Sequence, residues 1–517
     1  MTGSQTIGEL LRRTARRMRD QPAISCGLHR WTYGELDAVV DRLAAGLQGQ
    51  GLSKGDRVAV LARNSHAFAA LRFALARLGA VLVPINFMLK AEEVAFVLRH
   101  AGARMLAVDA GLAELGRAAA ALNTKVERLI ALPGENGPEP ELAGLGFASL
   151  LTTPGPHTDA EVRSGDLAQI VYTSGTESLP KGAMLTHEAV IWQYVSCIVD
   201  GEMAPSDRVL HSLPLYHCAQ LDCFLGPAIY LGSSNVITGT PTPDNLLPLI
   251  EAHRISSFFA PPTVWISLLR TPFFDSADLS SLRKGYYGAS IMPVEVMREI
   301  QRRLPQVRLW NFYGQTEIAP LATVLKPEDQ LRKPGSAGKP VLNVETRVVD
   351  DQMNDVIVGE VGEVVHRSPQ LLTGYFNDPE RTAAAFDGGW FHSGDLAVVD
   401  AEGYLTIVDR KKDMIKTGGE NVASREVEEA LYLMPEVSEV AVIGVPHPLW
   451  VEAVVAVVVP RKGSSLDEAA VTSHCKGCLA TFKVPKGVVF VDALPKNPSG
   501  KLLKRELRQR FAMLFAS

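Results

Sequence analysis

Residues 172–182 read Tyr172-Thr173-Ser174-Gly175-Thr176-Glu177-Ser178-Leu179-Pro180-Lys181-Gly182, directly after the apolar pair Ile170-Val171. This order predicts a strand that runs into a hydroxyl- and glycine-rich loop closed by a lysine. Such a loop can cradle phosphate. Small residues let backbone N–H groups approach an anion, hydroxyls add donors, and Lys181 supplies a compact positive charge. The spacing is not the G-x-x-x-x-G-K-[ST] loop, because Pro180 stands where the second glycine belongs and Gly182 follows Lys181. A solvated surface turn has the same composition, so the loop needs company to be read as a site.

That company follows downstream: Tyr313-Gly314-Gln315-Thr316-Glu317, His392-Ser393-Gly394-Asp395, Asp409-Arg410-Lys411-Lys412-Asp413-Met414-Ile415-Lys416 and Pro498-Ser499-Gly500-Lys501. In this order and spacing the segments resemble the adenylate-forming superfamily of acyl-CoA synthetases, luciferases and peptide-synthetase adenylation domains, most like its fatty-acyl-CoA synthetases. The resemblance runs from Trp31-Thr32-Tyr33-Gly34-Glu35-Leu36 to Lys501. It implies an α/β fold with a large N-terminal domain over 1–409, made of parallel sheets with crossover helices and a small β-rich subdomain. It further implies a hinge at 410–412 pivoting on Lys412, and a small mobile α+β domain over 413–517.

The chemistry implied is attack of a carboxylate on the α-phosphate of ATP, loss of pyrophosphate, and cleavage of the acyl-adenylate by the thiol of coenzyme A. Such displacements leave the protein chiefly positioning and charge neutralisation to supply. By the resemblance, Thr173, Ser174, Gly175, Thr176, Lys181 and Gly182 hold the triphosphate. Glu317, after Thr316, holds Mg²⁺, with Thr173 as a second oxygen ligand suited to that hard ion. Tyr313 stacks on adenine, flanked by Asn311, Phe312 and Gly314, with Gly288-Ala289-Ser290 on the other side of the base. Asp395 accepts the ribose hydroxyls and Arg410 is the second ribose contact. Lys501 bridges carboxylate and α-phosphate during adenylation, His217 shapes the entrance beside the acyl carboxylate, and Gly418 and Gly419 line a pantetheine channel. Two positions depart from the pattern: Glu177-Ser178 replaces Thr-Gly in the loop, and Val451 stands where glycine is commoner.

The acyl pocket is expected among residues 216–225, 286–290 and 314–320, with Leu221, Phe224, Ile318 and Leu321 as apolar lining. Burial at roughly 0.8 kcal/mol per methylene favours a medium- or long-chain fatty acid. Gln220 and Asp222 complicate this, since they either face solvent or recognise a substituted or aromatic acid. An aryl-CoA ligase and an enzyme that loads a carrier protein are the alternatives. A non-catalytic nucleotide-binding protein is disfavoured by the presence of Lys501, Glu317 and Asp395.

The elements that must position these residues are legible in outline. Arg57-Val58-Ala59-Val60-Leu61 predicts a strand, 66–78 a helix and 80–84 a strand, the signature of a parallel sheet. Residues 132–166 are broken by prolines and glycines into a connector. Segments around 346–350 and 363–366 predict a β-rich subdomain, and 424–433, 438–445 and 453–459 a compact C-terminal α+β unit. The 517 residues exceed one core, and at roughly 150 residues per domain suggest about three structural units.

A net charge of −5, from 52 basic and 57 acidic residues, supplies no general field for nucleic acid. No apolar run reaches the roughly 18 residues of a membrane span, so a cytoplasmic enzyme without integral membrane association is expected. A homodimer is left open. The arginines of the first 20 residues sit beside Leu10, Leu11 and Ala15, which predicts an ordinary first helix rather than a leader. The six scattered cysteines do not form a disulfide framework, and Cys475 and Cys478 lack a second pair, so their role is read as structural.

Overall fold

The computed structural model describes residues 5–140, 142, 144–153, 161–173, 180–496 and 502–515. Two compact units emerge. One takes in most of the chain up to Thr346 and returns for His366–Phe391; the other comprises Arg347–Val365 and the chain from His392 onward. The expected break at Asp409–Lys412 falls inside the second unit.

The first unit is α/β and holds two large sheets. In the eight-stranded sheet, Leu167–Thr173, Val81–Pro84, Arg57–Leu61, Met105–Asp109 and Arg128–Leu132 run parallel as neighbours, with Lys181–Thr186 and Gly374–Tyr375 added antiparallel at one edge. The nine-stranded sheet has Arg308–Gly314, Lys284–Gly288, Ser257–Phe259, Arg208–His211, Ser234–Ile237 and Pro22–Cys26 parallel at its centre and antiparallel strands at both edges. The strand, helix and strand expected near residue 57 are Arg57–Leu61, His66–Leu78 and Val81–Pro84. Ser65 caps the helix by accepting from Phe68 N–H, and Gly79 ends it at φ 66°.

All 13 residues of this helix are buried, which a crossover helix achieves only when covered on every face. It packs against strands of both sheets. The Trp31–Leu36 segment turns out to be a helix start: Thr32 Oγ1 accepts from Glu35 N–H and Glu35 Oε2 accepts from Thr32 N–H, a reciprocal capping box. The first helix, Ile7–Arg17, buries Ile7, Leu10, Leu11 and Ala15, as its apolar face predicts.

Four buried histidines make this unit acid-sensitive. Burial lowers His66 and His187 to about 3, and His211 and His366 to about 4. They are neutral when folded, whereas the unfolded chain protonates them near the ordinary value of about 6.5. Stability they permit is complete above that value and falls as pH drops from it toward about 4 for His211 and His366 and about 3 for His66 and His187. At pH 5.5 each group withdraws about 1.4 kcal/mol. The denaturant midpoint therefore falls steeply between pH 7.5 and 5.5, and a flat profile there contradicts the neutral assignments.

In the second unit, the four-stranded sheet runs in the order Glu345–Val349, Val361–Arg367, Phe391–Val399, Leu405–Arg410, matching the expected β-rich subdomain. The C-terminal lobe is α+β. Val437–His447 and Val451–Pro460 form a long antiparallel ladder, Gly487–Phe490 joins it in parallel, and Ile415–Thr417 with Glu420–Val422 makes a hairpin beside it. The helices are Ser424–Tyr432, Glu468–Cys478 and Lys504–Arg510. Cys475 is buried in this lobe's core while Cys478 is exposed and donates to the His474 carbonyl, and no cysteine is disulfide-bonded. Among the described residues no helix is long and apolar enough to cross a membrane.

Candidate active site

The segment expected to hold phosphate lies between two neighbouring strands. Leu167–Thr173 and Lys181–Thr186 pair antiparallel, with Tyr172 opposite Gly182 and Thr173 opposite Lys181. The loop's ends are thus held side by side, and Gly182 cannot carry a side chain without meeting Ile170 Cγ2 at 2.7 Å. Ser174, Gly175 and Thr176, with the divergent Glu177-Ser178, lie outside the described residues.

Lys181 Nζ sits 5.1 Å from the ring centroid of Tyr375, and the Tyr375 hydroxyl donates to Glu317 Oε1 at 3.0 Å. One tyrosine therefore links the lysine expected at the phosphates to the glutamate expected at the metal. Burial, and then Glu317, push the Tyr375 phenol up, so it stays protonated and donates. Tyr375 escaped the sequence reading. Its one signal was an aromatic beside Gly374 in a short segment, and its role depends on the pairing of Gly374–Tyr375 with Met184 and Ala183. Among the described residues no group of three or more His, Cys, Asp or Glu gathers around a metal position. Mg²⁺ is compatible with this sparse set, because it keeps waters and takes substrate phosphate oxygens, needing only one or two protein ligands such as Glu317 and Thr173.

The nucleoside candidates lie at the carboxyl ends of two adjacent parallel strands, Lys284–Gly288 and Arg308–Gly314, where Gly288 faces Phe312. Open α/β sheets bind ligands at such ends. Ala289 and Ser290 are exposed, Gly314 is exposed and Tyr313 is half-buried. Gly288 is obligatory because a Cβ would lie 2.5 Å from the Phe312 carbonyl oxygen; at Gly314 it would meet the Pro320 oxygen. Asn311 donates through Nδ2 to the Ser336 carbonyl, and Phe312 buries its ring against Phe224 and Tyr286. What Phe312 presents at the rim is backbone.

His217 caps the short helix Cys218–Gln220, its Nδ1 accepting from Ala219 N–H at 3.2 Å. Solvent reaches the ring although protein packs densely around it, and that desolvation lowers its pKa. Neutral His217 with Nδ1 engaged carries its proton on Nε2. Cys218, beside it, is 3.4 Å from Thr316 Oγ1, which ties this helix start to the turn Thr316–Ile318 that bears Glu317.

The acyl candidates are packed more tightly than expected. Gln220 and Asp222 do not face solvent: both are 0% exposed. Gln220 bonds His211 Nδ1 and Leu213 N–H. Asp222 accepts from Arg72 Nη2 at 3.3 Å, Gln169 Nε2 at 2.7 Å and the Tyr194 hydroxyl at 3.3 Å. Burial pushes its carboxyl up while Arg72 opposes. Neither side chain is left over for a substrate. A π-helical turn, Leu221–Leu225, turns Asp222 toward these partners.

In the second unit Asp395 and Arg410 lie directly across adjacent strands, with Arg410 Nε 3.0 Å from Asp395 Oδ1. The two residues assigned to ribose are thus paired. Glu363 organises this motif: it accepts from Gly394 N–H, meets His392 Nδ1 at 3.0 Å and pairs with Lys411 Nζ at 3.1 Å. A carboxylate between Gly362 and Val364 was its only signal in the sequence. Lys412 follows in a turn in which Asp413 and Met414 N–H return to the Arg410 carbonyl. Lys501 lies outside the described residues.

Gly418 and Gly419 form the turn of the Ile415–Val422 hairpin with φ of 60° and 87°. Two consecutive positive φ values define a type I′ turn, which by itself accounts for both glycines. Gly418 N–H donates to the Trp450 carbonyl at 2.9 Å. The adjoining Val451 adopts φ 66°, a strained conformation for a β-branched residue, and this explains why glycine suits the position. Val451→Gly removes that strain and stabilises the protein by about 1 kcal/mol; a lower denaturant midpoint contradicts this.

Two family models match: AMP-binding enzyme over residues 11–376 and the AMP-binding enzyme C-terminal domain over 426–501. The chain belongs to the AMP-binding enzyme family, as an AMP-forming acyl-CoA synthetase. It is 38% identical over 98% of its length to a feruloyl-CoA synthase from Amycolatopsis sp, covering 99% of that protein. It is 35% identical over 93% of both chains to a long-chain-fatty-acid–CoA ligase of Mycobacterium tuberculosis. Its fold superposes on the crystal structure of the anthranilate CoA ligase AuaEII in complex with anthranoyl-AMP with a TM-score of 0.88 and 27% identity, covering 100% of this chain and 99% of that one. ATP and coenzyme A are therefore its co-substrates.

Proposed function

We propose that this synthetase activates an aromatic carboxylic acid. The observation that carries the reading is the packing of the expected acyl pocket. Phe224 stacks on Phe259 with centroids 4.3 Å apart and on Phe312 at 5.5 Å, with Tyr286 edge-on at 5.1 Å. Leu221, Phe224, Ile318 and Leu321 are each at most 2% exposed. A long alkyl chain requires an open tunnel along these side chains. A flat ring requires only a shallow slot against an aromatic wall, where offset or edge contacts hold it. The feruloyl-CoA synthase and the anthranilate ligase support an aromatic acid; the long-chain ligase supports the fatty acid that apolar lining alone suggests.

In this reading the acid's carboxylate oxygen attacks the α-phosphorus of ATP, the bond to the β-phosphate oxygen breaks, and pyrophosphate leaves. The thiolate of coenzyme A then attacks the acyl carbon and AMP leaves. Lys181 and the loop after Thr173 hold the triphosphate, and Tyr375 keeps Glu317 oriented. Glu317 and Thr173 would hold Mg²⁺, which when bound neutralises phosphate charge. Tyr313 packs on the base, and Asp395 with Arg410 receives the ribose. Lys501 serves adenylation, and Lys412 is the pivot between the half-reactions. Dependence on ATP and coenzyme A supports a cytoplasmic setting.

A panel of acids assayed for AMP and acyl-CoA tests the substrate class. Hydroxycinnamic, arylacetic and benzoic acids are expected to exceed octanoic and palmitic acids in kcat/KM by about tenfold or more, that is about 1.4 kcal/mol of discrimination. Preference for palmitic acid overturns the aromatic reading.

A further inference from the structure

The residues on either side of the segment 497–501, which bears Lys501, are tied to each other. Lys496 and Leu502 form an antiparallel bridge, and Leu503 N–H donates to the Pro495 carbonyl at 2.9 Å. Lys504, three positions after Lys501, opens the helix Lys504–Arg510. Its ammonium lies 2.8 Å from Glu428 Oε1 and donates to Ser424 Oγ. Ser424 gives its hydroxyl to Asp409 Oδ2 at 2.7 Å and its N–H to the same oxygen at 2.6 Å. Asp409 directly precedes Arg410, and its Oδ1 accepts from Arg410 N–H at 2.8 Å.

This chain of contacts differs from a surface ion pair. Ser424 is 0% and Asp409 7% exposed, and the side chains of Lys504 and Glu428 are mostly buried. Glu428 Oε1 is itself fixed by Val442 N–H at 2.8 Å. The helix Ser424–Tyr432 has Ala423 at its N-cap, a residue with no side-chain acceptor, so the Asp409 carboxylate from another strand does the capping. One turn beyond Lys504, Arg508 pairs with Asp413. The stretch around Lys412 is thereby tied at both ends to the helix that follows Lys501.

We infer that Asp409, Ser424 and Lys504 are positioning residues for adenylation, a buried relay of charge-assisted hydrogen bonds that anchors the chain immediately following Lys501 to the strand bearing Arg410. The inference rests on the reading of Lys501 as the adenylation lysine. A lysine that must meet two anions at once works best when the chain beside it is held in place beforehand. Loosening that anchor slows the step without weakening ATP binding.

The test compares Lys504→Met, Lys504→Arg, Ser424→Ala and Lys501→Ala in acid-dependent ATP–pyrophosphate exchange, and in thioester formation from supplied acyl-adenylate. Lys504→Met and Ser424→Ala are expected to lower the exchange kcat by about tenfold, with KM for ATP and the thioester step within about twofold of the parent. Lys504→Arg recovers most of the exchange. Loss of both steps together marks a merely structural role and overturns the inference. If Lys504→Met does not fold, Ser424→Ala carries the test. Should Lys501→Ala abolish exchange while Lys504→Met and Ser424→Ala leave it unchanged, the relay alone is refuted; should Lys501→Ala leave exchange intact, the reading of Lys501 falls and the relay with it.

Discussion

Lys501→Ala is expected to lower acid-dependent pyrophosphate exchange by at least about 10²-fold, since removing one preorganised charge from a developing anionic centre typically costs about 3 kcal/mol or more. Thioester formation from a supplied acyl-adenylate should remain near the parental rate, because that step has no triphosphate left to neutralise. The split between the two half-reactions matters more than the size of the loss. A variant that loses both equally has lost its fold or its adenylate site, and Lys501 is then not specific to the first step.

Arg72→Met is expected to destabilise the protein by about 3–5 kcal/mol, the usual cost of removing one partner from a buried ion pair. Arg72 is 2% exposed and Asp222 0%. Methionine fills most of the space of the arginine stem, so the loss reports the stranded carboxylate rather than a cavity. Gln169 and Tyr194 still bond it but bring no charge. The double variant Arg72→Met with Asp222→Leu should recover most of the stability, because no buried charge remains. Chemical denaturation reads both. A loss below about 1 kcal/mol for Arg72→Met shows that the pair does not hold the helix His66–Leu78 to the π-turn.

The same pair shows why part of the site was hidden in the sequence. Asp222 lies within the candidate acyl segment 216–225, and a carboxylate there reads as a substrate contact or a solvated side chain. Its partner lies 150 positions away on a helix buried on every face, and no local pattern announces that pairing. Tyr375 and Glu363 escaped for a related reason: each is a single residue whose partners come from other elements distant in sequence. What repeats locally was legible. Alternating apolar runs marked the parallel strands and crossover helix near residue 57, whereas the capping box of Thr32 with Glu35 emerged only in the structure. Gly418 and Gly419 were noticed for the right property, the lack of a side chain, but the reason the structure gives is positive φ in a two-residue turn. Lys181 and Glu317 were each singled out by motif, and their link through Tyr375 could be seen only with the strands in place.

In the first half-reaction the acid's own oxygen bonds to the α-phosphate of ATP before any thioester forms. The direct measurement uses a hydroxycinnamic acid labelled with ¹⁸O in its carboxylate, with ATP and coenzyme A, and mass analysis of the nucleotide product. AMP carrying one ¹⁸O from the acid, with unlabelled pyrophosphate, is the expected result. Label in inorganic phosphate released with ADP, or AMP free of label, contradicts it.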